Sequence, residues 1–333
     1  MTYVTDREAA LAIHRRFRAA GASFALFCTA SHWNTEAILL AARRFAQKHG
    51  LAEVPISVAM TYNYPYMPQA QRMTFSGDPV AGFLSNVGHL RALCDGPNTP
   101  YADVVVLPHL DHGDPELDHW ALTEGLPHLA TVMFDAQKYP FEENLRLTRA
   151  YVEAHGDAVM VEGIIEQLAV GGKHAKAAVQ HDAYVDRAVE FMRQTGADLL
   201  VADLGTEQQS DRVGGAAYLQ ARARALTDAL GEARLVLHGT SCLTDAQFRG
   251  LAADGVIRIN MWTRIAREAG QYAARRLADR LDAINAGDFE AAESHQYLMD
   301  SIEAAAGIME KVLELIGYDR LAEAEHGVDR RSP

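Results

Sequence analysis

The chain has 333 residues, 49% hydrophobic and 23% charged, which is enough apolar material for a sizeable globular core. A formal net charge of -13 argues against nucleic acid or an anionic membrane as partner, because both would be repelled, while leaving room for a local anion site. The three cysteines, Cys28, Cys94 and Cys242, are too few and too far apart for a disulfide framework or a zinc ribbon, and read as buried thiols of a reducing compartment. The N-terminal stretch MTYVTDREAALAIHRRF is charged and lacks an apolar signal core, and no run is long enough to span a bilayer, so the expectation is a cytoplasmic protein.

Eight short apolar runs follow one another along the chain. They are residues 24–29 (FALFCT), 56–61 (ISVAMT), 104–110 (VVVLPHL), 131–135 (TVMFD), 158–164 (AVMVEGI), 199–204 (LLVADL), 235–238 (LVLH) and 258–261 (RINM). Their near-continuous apolar character suits strands buried on both faces of a parallel sheet. Helical patterns lie between them. Residues 35–49 show apolar side chains at helical spacing, and residues 182–195 carry Tyr184, Val185, Ala188, Val189 and Met192 on one face. Residues 219–230 and 244–253 behave likewise, with Thr244 and Asp245 as a helix start. The longest connection, 62–100, is rich in Tyr, Pro and Gly and is expected to hold one helix over 80–94. A strand-helix alternation repeated eight times predicts a (β/α)8 TIM barrel, with an open doubly wound sheet as the alternative. A helical extension follows at 268–316, whose amphipathic part, 301–316, should pack on the barrel or on another subunit. Residues 1–316 thus read as one domain and 317–333 as a polar, fraying tail.

Barrel enzymes build their sites at the C-terminal ends of the strands. Here the second run ends at Thr61, the third in His109-Leu110-Asp111-His112-Gly113-Asp114, the fourth at Asp135, and the fifth runs into Glu162 and Glu166. The sixth ends in Gly205-Thr206-Glu207-Gln208, the seventh in His238-Gly239-Thr240-Ser241, and the eighth carries Asn260 and then Thr263. His112 and His238 are suitable ligands for a borderline divalent ion such as zinc. They are remote in sequence, but a barrel brings such ends around one axis. Strand alternation should turn Asp111 toward the pocket as an acid or base while His112 reaches the metal.

Five blocks then resemble the class II, metal-dependent fructose-bisphosphate and tagatose-bisphosphate aldolases. They are PHLDHG (108–113), VMFDAQKYPFEENLRLT (132–148), VEGIIEQLAVGG (161–172), LVLHGTS (235–241) and GVIRINMWT (255–263), in the family's order. The resemblance implies an aldol reaction on a sugar or sugar phosphate, with a divalent ion, zinc first, polarising a ketone. It implies that His112 and His238 hold the ion and that Asp111 moves the proton of the aldol hydroxyl. It assigns Gly239, Ser241, Asn260 and Thr263 to the substrate, places Asp135 in support, and suggests a homo-oligomer, dimer or tetramer; Thr61 joins the substrate residues by its place at the end of the second run.

The chain also departs from the family pattern. The third metal histidine is expected after the sixth strand, where Gln208 stands instead; Gln208 or the preceding Glu207 would have to replace it. Gln209, Thr240 and Trp262 replace smaller or acidic residues around the phosphate, which points away from ordinary fructose 1,6-bisphosphate. Two extra residues in the third block, 161–172, leave Glu162 and Glu166 competing for one aligned position. The loop after Gly171-Gly172 offers His174, or His181, where the family carries acids. A related lyase or isomerase, or a sugar-phosphate-binding descendant without catalysis, is the alternative.

Overall fold

Short apolar strands separated by amphipathic segments can bury both faces only if helices cover the outside of a parallel sheet. A computed structural model, which describes residues 2–166, 168, 181–210, 218–293 and 296–322, has this arrangement. The strands are β1 (Phe24–Cys28), β2 (Val54–Thr61), β3 (Val104–Gly113), β4 (Thr131–Phe134), β5 (Met160–Ile164), β6 (Leu199–Val201), β7 (Leu235–Leu237) and β8 (Val256–Met261). They pair in chain order, all parallel, and β8 returns to β1 to close the barrel. The eight expected runs are these eight strands, with β3 continuing through Gly113 and β6 stopping at Val201.

The helices are α1 (Arg7–Ala20), α2 (His32–His49), α3 (Gln69–Arg72), α4 (Pro79–Cys94), α5 (His119–Leu122), α6 (Phe141–His155), α7 (His181–Thr195), α8 (Gln220–Leu230), α9 (Asp245–Gly250), α10 (Thr263–Asn285), α11 (Phe289–Glu293) and α12 (Gln296–Leu315). The start of α9 is the expected one: the Thr244 hydroxyl accepts the Gln247 N–H while the Gln247 side chain accepts the Thr244 N–H. The N-terminal stretch, read from sequence only as charged, forms α1. Phe17 and His14 of α1 pack edge-on against Phe24 at the start of β1, so this helix covers the N-terminal end of the barrel.

Of the two surfaces open to residues 301–316, α12 takes the barrel. Ala305, Ala306, Met309, Val312 and Leu313 are buried in its contacts with α2 and α10. The expected polar tail does not begin at Gly317. Tyr318 and Leu321 are fully buried, the Tyr318 ring packs against Phe17 and Phe45, and its hydroxyl accepts the Ala25 N–H at 2.8 Å. An aromatic ring that fills the seam between α1, α2 and β1 cannot fray without opening that seam. Residues 323–333 lie outside the described residues. Among the described residues no helix is long and apolar enough to cross a membrane, and all three cysteines are free and buried.

Two details of the ladders position the cleft. The β2–β3 pairing is continuous from Val54 opposite Val104 to Thr61 opposite Asp111, which sets these two side chains side by side at the strand ends. The β3–β4 pairing slips between Leu110 and Gly113, and within that slip His112 adopts a left-handed backbone with φ of +52°. A non-glycine residue held there costs of order 1–3 kcal/mol, strain that surrounding structure must offset.

Candidate active site

The ends of β2, β3, β7 and β8, with the segments after β2 and β6, line an open cleft. Thr61, Asp111, His112, Gln208, His238, Gly239, Ser241, Asn260 and Thr263 all line it, so the structure gathers these sequence candidates at one mouth. Asp111 and His112 do not divide between two faces as simple alternation predicts. The positive φ at His112 breaks the pleat, and both side chains turn into the same cleft. Thr61 is pinned on both sides. Its hydroxyl donates to Met67 O and accepts the Gln69 N–H at 3.0 Å, while its own N–H donates to Gln69 Oε1 at 2.9 Å.

Asp111, His112 and His238 are all buried, and one ligand atom from each lies within 4.8 Å of the others. The Nδ1–H of His112 donates to Asp135 Oδ2 at 2.7 Å, which leaves the Nε2 lone pair facing the cleft. The Nε2 lone pair of His238 accepts from Asn260 Nδ2 at 3.0 Å, and the same amide donates to Asp111 Oδ1 at 3.1 Å. Cys28 Sγ donates weakly to the other Asp111 oxygen at 3.7 Å. Two neutral imidazole lone pairs and one carboxylate at such separation fit a divalent ion, with Asp135 as the carboxylate that orients a ligating histidine.

The electrostatics follow from burial. It holds the Asp111 carboxyl above the ordinary value, against the lowering pull of His112 and Arg258. It drives His238 well below the ordinary imidazole value, helped by His112 nearby. Burial also pushes His112 downward, but Asp111 and Asp135 outweigh it and leave His112 above its ordinary value. An aspartic acid with a raised value beside oriented imidazoles is suited to giving and taking a proton.

Of the two residues offered for the third ligand position, the structure brings in Gln208 and not Glu207. Thr206 and Gln208 are buried while Glu207 is half-buried, the alternation of extended chain, and Thr206 is anchored by its hydroxyl donating to His238 O at 2.6 Å. Gln208 Nε2 reaches His112 Nε2 at 3.2 Å, and its Oε1 accepts from the Tyr64 hydroxyl at 2.9 Å. Glu207 contributes backbone instead. A Cβ on Gly239, whose φ is +67°, would lie 2.6 Å from Glu207 O, so only glycine lets these two loops touch. Gln209 keeps a left-handed φ of +54° without being glycine.

Ser241 Oγ accepts the Arg264 N–H at 3.0 Å, tying the loop after β7 to the first turn of α10, which Thr263 opens at the cleft edge. The Thr240 hydroxyl is spent on Asn260 O at 2.5 Å. Trp262 lies over Leu26, Cys28 and Ala59 and forms one wall. Of the tyrosines after β2, Tyr64 alone lines the cleft, its ring stacked on His112 with centroids 4.2 Å apart. Tyr62 instead stacks on Trp120, away from the cleft.

Glu162 and Glu166 do not line the cleft. Glu162 is buried inside the barrel, ion-paired with Arg258 and 3.2 Å from His109 Nε2, while His109 Nδ1 bonds Thr131 Oγ1 at 2.6 Å. Its place is a polar layer beneath the cleft, because β5 alternation turns it inward and Arg258 of β8 meets it there. Glu166 stands half-buried past the end of β5. His174 lies outside the described residues. Sequence reasoning placed His109 at the end of the third run but gave it no role, and it missed Gln69, which lines the cleft and for which there was no signal.

An eight-stranded parallel barrel with acid, imidazole and amide groups at its C-terminal mouth defines a barrel of enzyme type. A family model for class II fructose-bisphosphate aldolase matches residues 23–319, and the chain belongs to that family. It is 32% identical over 171 residues to the uncharacterized protein YdjI of Escherichia coli K12, covering 50% of this chain and 60% of YdjI. It is 28% identical over 220 residues to the fructose-bisphosphate aldolase of Streptococcus pneumoniae, covering 65% of this chain and 73% of that protein. It is 34% identical over 192 residues to the 6-phospho-5-dehydro-2-deoxy-D-gluconate aldolase of Shouchella clausii, covering 56% and 61%. The fold is similar to the crystal structure of a Campylobacter jejuni fructose-bisphosphate aldolase, with a TM-score of 0.71 at 16% identity over 93% of this chain and 95% of that one. It is also similar to the crystal structure of the YdjI aldolase, with a TM-score of 0.62 at 21% identity over 94% and 95%.

Proposed function

We propose that this chain is a divalent-metal-dependent aldolase that makes or breaks a carbon–carbon bond in a ketose or ketose phosphate. The observation that carries the reading is the convergence of Asp111, His112 and His238 within 4.8 Å at the mouth of a barrel of this family. His112 and His238 would hold the ion, with zinc the first candidate for imidazole donors. Bound there, the ion would supply Lewis-acid polarisation of a substrate carbonyl. Asp111 takes the proton of the hydroxyl beside the breaking bond in cleavage and returns it in condensation. Asn260 positions Asp111 through its amide hydrogens, and its buried Oδ1, which has no partner among the described residues, is placed to accept a substrate hydroxyl. Ser241, Thr263 and the first turn of α10 offer hydroxyls and backbone N–H groups to an anionic end.

Substrate choice is read from the walls. Among the described residues lining the cleft there is no lysine or arginine, and Trp262 gives it an apolar side. Such a cleft favours a substrate with at most one phosphate at the α10 end over a bisphosphate. The relatives named above include aldolases for two different substrates, which fits a fold that varies its chemistry through the loops after its strands. A homo-oligomer, dimer or tetramer, in the cytoplasm is part of the same reading; Tyr272, Leu281 and Phe289 on the helical extension are exposed.

The test is steady-state cleavage of fructose 1,6-bisphosphate with zinc, cobalt, manganese and magnesium supplied in turn, beside a screen of aldehydes with dihydroxyacetone or its phosphate. Metal-dependent condensation with some acceptor and poor bisphosphate cleavage are expected. A kcat/KM of about 10⁴–10⁸ M⁻¹s⁻¹ on fructose 1,6-bisphosphate overturns the substrate reading. Turnover undiminished by chelation overturns the metal reading.

A further inference from the structure

The imidazole lone pairs that face the cleft are each met by an amide N–H. Asn260 serves His238, and Gln208 serves His112 at 3.2 Å. Asn260 is committed to Asp111 as well. Gln208 is not committed in that way. Among the described residues its Nε2 touches His112 alone, and its Oε1 rests on the Tyr64 hydroxyl at 2.9 Å. A half-turn about the last bond of a glutamine side chain exchanges oxygen and nitrogen almost in place, because that torsion is broad and two-fold. A phenol hydroxyl both donates and accepts, so Tyr64 keeps a hydrogen bond in either orientation. The Tyr64 ring stacks on His112 with an interplanar angle of 10°, which holds the hydroxyl at this spot whichever way the amide points.

We infer that Gln208 is the third protein ligand of the divalent ion, through Oε1, with Tyr64 as the hydroxyl that accepts the turned amide. This rests on the metal-dependent reading above. Without an ion the amide N–H caps the His112 lone pair. With an ion the oxygen replaces it beside His112 and His238. Gln208 and Tyr64 are therefore a coupled pair, and Tyr64 is a positioning residue for the metal site. An amide oxygen is a harder donor than imidazole, so the site binds manganese better relative to zinc than a site with a third histidine would.

The experiment is competition of the metal-free, full-length protein with a chelator of known affinity, for Mn²⁺ and Zn²⁺ separately, in Gln208→Leu, Gln208→Glu, Gln208→His and Tyr64→Phe. Gln208→Leu is expected to lose at least about tenfold in Mn²⁺ affinity, the scale of losing a group that directly supports a metal. Gln208→Glu keeps an oxygen and retains or gains affinity, whereas a purely structural role for Gln208 would make both variants fail alike. Tyr64→Phe preserves the stack, removes the hydroxyl, and loses roughly 2- to 10-fold, the scale of one hydrogen bond. Gln208→His raises the Zn²⁺ to Mn²⁺ affinity ratio. Gln208→Leu binding both ions as the wild type does overturns the inference and leaves the metal reading standing. A wild-type protein that binds neither ion overturns both.

Discussion

His14 makes the stability of this barrel depend on pH in a calculable way. It lies on the inner face of α1, 1% exposed, with Nδ1–H donating to Ala10 O at 2.8 Å and the Phe24 ring edge-on at 5.0 Å. Nε2 is buried with no hydrogen-bond partner among the described residues. Burial first, and the charge of Arg258 second, lower its pKa from the ordinary 6.5 to about 3. The unfolded chain therefore takes up this proton as pH falls through 6.5, while the folded chain refuses it until about 3. The contribution to stability is complete above 6.5 and is lost as pH falls through that window, at ~1.36 kcal/mol per pH unit once well below 6.5. Between pH 7.5 and pH 5 the loss comes to about 2 kcal/mol. His14→Leu removes the proton site and keeps an apolar side chain against Phe24. Urea unfolding of both proteins at pH 7.5, 6 and 5, followed by circular dichroism, reads the effect. The variant should gain about 2 kcal/mol on the wild type across this range, whatever the offset at pH 7.5. A difference between the two proteins that stays constant with pH would refute the reasoning.

Asp111→Ala should keep fold and metal content and lose turnover by ~10²–10⁴-fold, measured on the true substrate; near-normal activity would remove Asp111 from its role. His112→Ala and His238→Ala should each lose bound metal by elemental analysis, and full occupancy in either would place the site elsewhere. Glu162→Gln, which strands the buried Arg258, should cost ~3–5 kcal/mol in urea unfolding, whereas Glu162→Leu combined with Arg258→Met should cost far less. Equal losses in the single and the combined variant would show that Glu162 and Arg258 act through packing and not through charge.

The eight strands were legible because their signal is local: an apolar run between helical patterns has few other ways to bury both faces. Asp111, His112, His238, Asn260 and Ser241 were legible because a barrel assembles strand ends whatever their distance in sequence, so listing the ends nearly lists the cleft. What the local sequence does not contain is the direction of each side chain once the ring closes. Asp111 and His112 share a cleft only because the β3–β4 register slips and His112 takes a positive φ, and both are consequences of pairing with β4. Gln208 enters and Glu207 stays out because Thr206 is anchored to His238 O across two loops. Glu162 left the candidate site because Arg258, 96 residues further along in number, meets it inside the barrel. Tyr318 left the expected tail because a seam between α1, α2 and β1 had room for a ring. Each of these outcomes is a contact between residues remote in sequence. Local propensity and spacing select the elements; only the closed barrel, with its fixed register and filled interior, decides which neighbours those side chains meet.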